Sequence, residues 1–206
     1  MITNLPNIVS LIRILIAPFF FFLLISDEYN KLIWALILYI VASISDFFDG
    51  WLARKFEITS KFGIHFDPFA DKILVIASLL AFVVIGILEL WMVIIIAIRD
   101  FGTTFLRILS EKKNFTMTTS LIAKWKTFLQ MIFVNYLLII LLLSKKTNYI
   151  HTFFGVNTDF FDNILKCTIN NYILLFLVLL SLWTLFEYVL MNKSKILSKS
   201  NTEKSA

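Results

Sequence analysis

Residues 46–71 read DFFDGWLARKFEITSKFGIHFDPFAD, and four aspartates in this stretch decide how the chain is read. Asp46 and Asp49 stand three apart at the end of one apolar run; Asp67 and Asp71 stand four apart at the start of the next. On a helix both spacings place the pair on one face. Two such helices side by side would bring all four carboxylates together. Unpaired negative charges do not share a low-dielectric pocket unless protons or cations neutralise them. The economical neutraliser is a divalent metal, and ligands offering only oxygen point to Mg²⁺, Mn²⁺ or Ca²⁺ in preference to Zn²⁺. The plain alternative is a helical hairpin whose acids sit in water at a membrane surface.

The surrounding chain is strongly apolar. Of its 206 residues 59% are hydrophobic and 16% charged, with 22 Phe, and the mean hydropathy is +0.86. Soluble domains carry more charge, so the class is a polytopic, all-α integral membrane protein. Three Pro and five Gly leave little material for linkers, so residues 1–191 are expected to form one domain. Residues 192–206 read as a basic, disordered cytoplasmic tail. Cys167 is the single cysteine, which excludes an intramolecular disulfide and a C-x-x-C site. The net charge of +5 comes from basic residues flanking apolar runs. That pattern suits anionic membrane lipids and orientation in the bilayer, and implies no nucleic acid.

Six apolar spans are predicted, at about 8–25, 32–54, 67–88, 90–109, 121–143 and 172–191. Residues 1–6 lack a basic n-region and a cleavage site, so no cleaved signal peptide is expected. The segment 55–66 reads as a loop, and 144–171 as an interfacial loop or short surface helix. Pro68 suits the first turn of the third span. Six spans put both termini on one side. The face with the aspartates, the loop after Ser110 and the tail holds thirteen Lys and Arg against four on the other. The positive-inside rule therefore makes the aspartate face cytoplasmic.

The pattern D-x2-D-G-x2-A-R-x8-G-x3-D-x3-D, filled by Asp46, Asp49, Gly50, Ala53, Arg54, Gly63, Asp67 and Asp71, resembles the signature of the CDP-alcohol phosphatidyltransferases, membrane enzymes of phospholipid synthesis. The resemblance implies a six-helix bundle with a polar cavity facing the cytoplasm, in a bacterial cytoplasmic membrane, as a homodimer. Asp46, Asp49, Asp67 and Asp71 would hold two Mg²⁺ or Mn²⁺ ions, which could bridge the diphosphate of a CDP-lipid. Asp71 would also be the general base for the acceptor hydroxyl. Gly50, Ala53 and Gly63 would leave room for cytidine, and Arg54 would meet the diphosphate.

For the acceptor, Arg99 and Arg107 lie eight apart on one span and so face the same way. Lys124 and Lys126 enter the next span from the same side. Together the four are expected to form a cationic pocket for phosphate. The plainer readings are a charge pair of Arg99 with Asp100 or a motif carboxylate, and lysines that only mark the membrane boundary. The runs NLPN at Asn4–Asn7, IRD at Ile98–Asp100, LR at Leu106–Arg107 and AKWKT at Ala123–Thr127 look like the phosphatidylglycerophosphate-forming branch of that family. Asp100 and Ala123 depart from it, since the branch usually has Glu and Gly there. The resemblance implies CDP-diacylglycerol as donor and glycerol 3-phosphate as acceptor. Serine, inositol phosphate and phosphatidylglycerol are the alternative acceptors. An ion or proton transporter is the alternative of another class; it would spread its acids through the membrane depth, whereas these gather at one face.

Overall fold

Long runs of Leu, Ile, Phe and Val with few polar breaks can satisfy their backbone only within themselves, and the helix does this without a partner strand. In the computed structural model the backbone is described for residues 5–26, 28–56, 63–112, 121–154 and 159–204, with side chains over 11–26, 28–43, 70, 72–108, 110, 121–146 and 160–192. The described residues form α1 (Leu5–Leu24), α2 (Tyr29–Phe56), α3 (Gly63–Val84), α4 (Leu90–Lys112), α5 (Leu121–Phe154), α6 (Asp159–Lys166) and α7 (Thr168–Lys204).

The helices pack on neighbours in the chain and also across it. α1 lies most extensively on α3 and also on α2; α4 contacts α3 and α7, and α5 contacts α2, α3, α6 and α7. Small residues at the crossings, such as Ala17, Ala35, Ala42 and Ala81, are almost fully buried and let backbones approach closely. Phe20 and Tyr39 fill the α1–α2 seam, with ring centroids 5.6 Å apart. Buried and half-buried hydroxyls and amides bond back to the preceding turn. Ser78 Oγ donates to Leu74 O at 2.8 Å, and Asn135 Nδ2 to Met131 O at 2.9 Å.

The outside is as apolar as the inside. Phe19, Phe22, Trp34, Ile98, Trp125, Phe176, Trp183 and Phe186 all project outward and are exposed. Such an exterior suits hydrocarbon and would be an aggregation liability in water. The stretches Leu121–Lys146 and Phe160–Asn192 are long and apolar enough to cross a membrane, and Leu11–Leu24, Tyr29–Ser43 and Lys72–Val84 are shorter apolar helices.

Boundaries differ from the sequence expectation in three places. α3 begins at Gly63, so Pro68 falls in its second turn and not its first. Most of the connection expected at 144–171 is helical: α5 runs on to Phe154 and α6 follows. The Ser144 hydroxyl bonds the Asp162 carboxylate, and Asn170 Nδ2 donates to Ile164 O and Leu165 O, each at 2.8 Å, which closes the α6–α7 break. Where composition suggests a disordered tail from residue 192, α7 continues to Lys204. Extending an existing helix needs no new nucleus, so polar residues with fair helix propensity follow on readily.

α3 ends in a Schellman turn. Gly86 has φ of +84°; its N–H bonds Val83 O at 2.9 Å and the Ile87 N–H bonds Phe82 O at 2.9 Å. Ile87 and Phe82 are both buried, the apolar contact that accompanies this motif.

Candidate active site

Arg99 and Asp100 sit side by side within apolar α4, and both are buried. Charges persist there only when paired and hydrogen-bonded. Lys126 Nζ of α5 donates to both Asp100 carboxylate oxygens at 2.7 Å, and Arg99 Nη1 donates to Oδ1 at 3.0 Å. Arg99 also reaches α7: its Nε donates to Ser181 O at 3.1 Å and its Nη2 to the Thr184 hydroxyl. From α3, Lys72 Nζ donates to the Asp100 carbonyl at 2.6 Å and to the Thr104 hydroxyl. One turn of α4 is thus tied to α3, α5 and α7.

Beside this junction opens a cavity of about 340 Å³, walled by α3, α4, α5 and α7. Arg99, Arg107 and Lys124 line it, with Lys72, Gln130 and Tyr188. Among the described residues the wall carries four cations and one carboxylate, that of Asp100. Such a wall attracts a multiply charged anion, and Arg and Lys supply the donors that phosphate oxygens accept.

The predicted cluster is therefore brought together in part. Arg99, Arg107 and Lys124 share the cavity wall. Lys126 does not line it: the side chain is fully buried, with 0% exposure, and is committed to Asp100. The reason is helical geometry, because residues two apart on α5 point about 200° away from each other. Lys124 faces the cavity, so Lys126 faces α4. Arg99 lines the cavity while also making the Asp100 pair that sequence left as its plainer reading.

Asp46, Asp49, Gly50, Ala53 and Arg54 fall on α2, and Gly63, Asp67 and Asp71 on α3. Their side chains lie outside the described residues. Both aspartate pairs nonetheless stand in unbroken helix, where spacings of three and four share a face, and a set of hard oxygen donors fits Mg²⁺ or Mn²⁺. Position 71 belongs to the same helical row as Val75, four residues on, and Val75 lines the cavity.

Residues 3–183 match the family model described as CDP-alcohol phosphatidyltransferase. The chain belongs to that family. Among curated relatives, a CDP-diacylglycerol–glycerol-3-phosphate 3-phosphatidyltransferase of Bacillus subtilis is 34% identical over 148 residues, 66% of this chain and 77% of the relative. The enzyme of that name in Wigglesworthia glossinidia brevipalpis is 35% identical over 167 residues, 79% of this chain and 88% of the relative. A probable phosphatidylglycerophosphate synthase of Mycobacterium tuberculosis is 32% identical over 139 residues, 65% of each chain.

For this CDP-alcohol phosphatidyltransferase, sequence reasoning counted Lys72 only as a charge and missed it as a cavity residue. A lysine directly after Asp71 and ahead of an apolar run was the available signal. Tyr188 and Gln130 carried no such signal, since a Tyr or Gln in an apolar helix has many ordinary places.

Proposed function

We propose that this phosphatidyltransferase moves the phosphatidyl group of CDP-diacylglycerol to glycerol 3-phosphate, releasing CMP and forming phosphatidylglycerophosphate. The observation that supports the reading is the cationic cavity lined by Arg99, Arg107 and Lys124. A serine acceptor would not call for Arg99, Arg107 and Lys124 together, whereas a phosphate monoester would. The names of the relatives support the same acceptor.

In this mechanism Arg107 and Lys124 bind the acceptor phosphate, and Arg99 presents a further donor from a position held by Asp100, Ser181 and Thr184. Asp71 takes the proton from the attacking hydroxyl. The oxygen so freed forms the bond to the phosphatidyl phosphorus, and the bond from that phosphorus to the CMP oxygen breaks. Gly50, Ala53 and Gly63 leave space for cytidine, and Arg54 meets the diphosphate. Asp46, Asp49, Asp67 and Asp71 would hold a pair of Mg²⁺ or Mn²⁺ ions, which would supply charge neutralisation at the diphosphate. Binding the phosphate at a distance orients the hydroxyl and lowers the entropic part of the barrier.

The reading places residues 1–191 as one domain in a bacterial cytoplasmic membrane, with α1, α2, α3, α4, α5 and α7 as the six spans, both termini cytoplasmic and the enzyme a homodimer. The test is CMP release by purified protein with CDP-diacylglycerol and Mg²⁺, giving glycerol 3-phosphate, serine, inositol phosphate and phosphatidylglycerol separately. Release with glycerol 3-phosphate alone is expected. Release only with another acceptor would keep the chemistry and overturn the substrate.

A further inference from the structure

Lys72 directly follows Asp71, at the point where α3 becomes an uninterrupted apolar helix. An ammonium in such a place needs partners. The two it has among the described residues are uncharged oxygens, the Asp100 carbonyl at 2.6 Å and the Thr104 hydroxyl. The nearby Asp100 carboxylate is occupied by Lys126 and Arg99. An ammonium has three donors, so one remains, and the side chain is half-buried in the cavity wall. Lys72 thus brings a positive charge to the cavity that no carboxylate among the described residues pairs directly. It comes from the helix that carries Asp67 and Asp71 and lines the same cavity as Arg107 on α4 and Lys124 on α5.

Resting on the acceptor reading above, we infer that Lys72 is a further acceptor-binding residue, whose ammonium takes an oxygen of the acceptor phosphate from the α3 side of the cavity. Arg107 and Lys124 hold the phosphate from α4 and α5. Lys72 adds a hold from the helix of the proposed general base and so positions the acceptor relative to Asp71. An acceptor without an anionic group gains nothing from it.

The test compares Lys72→Gln and Lys72→Arg with the parent enzyme in steady-state CMP release. Lys72→Gln is expected to raise the KM for glycerol 3-phosphate about tenfold or more, the loss of one charged hydrogen bond. The KM for CDP-diacylglycerol stays within about twofold, and inorganic phosphate weakens as a competitive inhibitor by a similar factor. Lys72→Arg keeps the charge and recovers most of the affinity. Thr104→Val removes a Lys72 partner and leaves the ammonium, so its acceptor KM stays near the parent value. A Thr104→Val defect equal to that of Lys72→Gln would make Lys72 a brace between α3 and α4, and overturn the inference. An unchanged acceptor KM in Lys72→Gln would overturn it too. In the unmutated protein, acetylation of Lys72 read by mass spectrometry is expected to fall with glycerol 3-phosphate and not with glycerol; no fall counts against the inference, even where the variants do not fold. A parent enzyme that releases no CMP with glycerol 3-phosphate overturns the proposed reaction itself, which is a separate outcome.

Discussion

Lys126 Nζ lies 2.7 Å from each carboxylate oxygen of Asp100, and both side chains are buried. This contact joins α5 to α4 behind the cavity. Breaking one side of a buried ion pair costs roughly 3–5 kcal/mol, because the other charge is left in a medium that cannot solvate it. Lys126→Met and Asp100→Leu are each expected to lower the thermal unfolding temperature of the detergent-solubilised protein. The double variant should recover part of the loss, since Lys126 and Asp100 no longer orphan each other, while the buried Arg99 guanidinium still lacks its carboxylate. Lys124→Met, on the exposed cavity side, should leave the unfolding temperature near the parent value. Equal thermal losses from Lys124→Met and Lys126→Met would refute the different roles given to the two lysines.

Arg107 and Arg99 line the same cavity but differ in exposure. Arg107 is exposed toward it, whereas Arg99 is held by Asp100, Ser181 and Thr184. Arg107→Ala is therefore expected to raise the KM for glycerol 3-phosphate by about tenfold to a hundredfold, with the CDP-diacylglycerol KM changed far less. Arg99→Ala should combine an acceptor defect with a loss of stability, because it strips Asp100 of one partner and uncouples α4 from α7. Steady-state kinetics with each substrate varied, read beside unfolding curves, separates the two. An unchanged acceptor KM in Arg107→Ala would remove that residue from the site.

The aspartate signature pointed to the family, which the family match shows, because carboxylates are costly in an apolar sequence and their spacing matches helix geometry. The eight-residue step from Arg99 to Arg107 was readable for the same reason, and both residues line the cavity. The pairing of Lys126 with Asp100 was half legible: a two-residue step on a helix forbids Lys124 and Lys126 from facing one pocket, but which of them turns inward depends on the rotation of α5. The part played by α7 was not legible. Ser181 and Thr184 meet Arg99 across more than eighty residues of chain, and nothing in an apolar helix announces which face will meet which neighbour. The tail was misjudged by composition, which does not register that a helix already nucleated extends at little cost.

Gly86 gives a stability prediction independent of the chemistry. Its φ of +84° is a conformation other residues adopt with strain, and no atom lies within 4 Å of where a Cβ would stand. Gly86→Ala should therefore destabilise by about 1 kcal/mol through backbone strain alone. Gly86→Asn, which tolerates that region better, should cost less. Thermal unfolding of the two variants checks the order; a larger loss with Asn would argue for a steric cause instead.

Asp71 is expected to carry a role that binding does not. Asp71→Asn keeps the size of the side chain and some oxygen ligation while removing the basic carboxylate. Turnover should fall by about 10²–10⁴-fold, the usual contribution of a positioned general base. Binding of CDP-diacylglycerol should largely survive, since the other three aspartates and Arg54 still face the donor in the proposed site. Chelation provides the contrast: stripping divalent ions with EDTA should abolish turnover and weaken donor binding together, with Mg²⁺ or Mn²⁺ restoring both. Measured donor affinity and single-turnover CMP release distinguish the two losses. Full turnover in Asp71→Asn would move the base elsewhere on the cavity wall, and donor binding lost as completely as under EDTA would make Asp71 a metal ligand and nothing more.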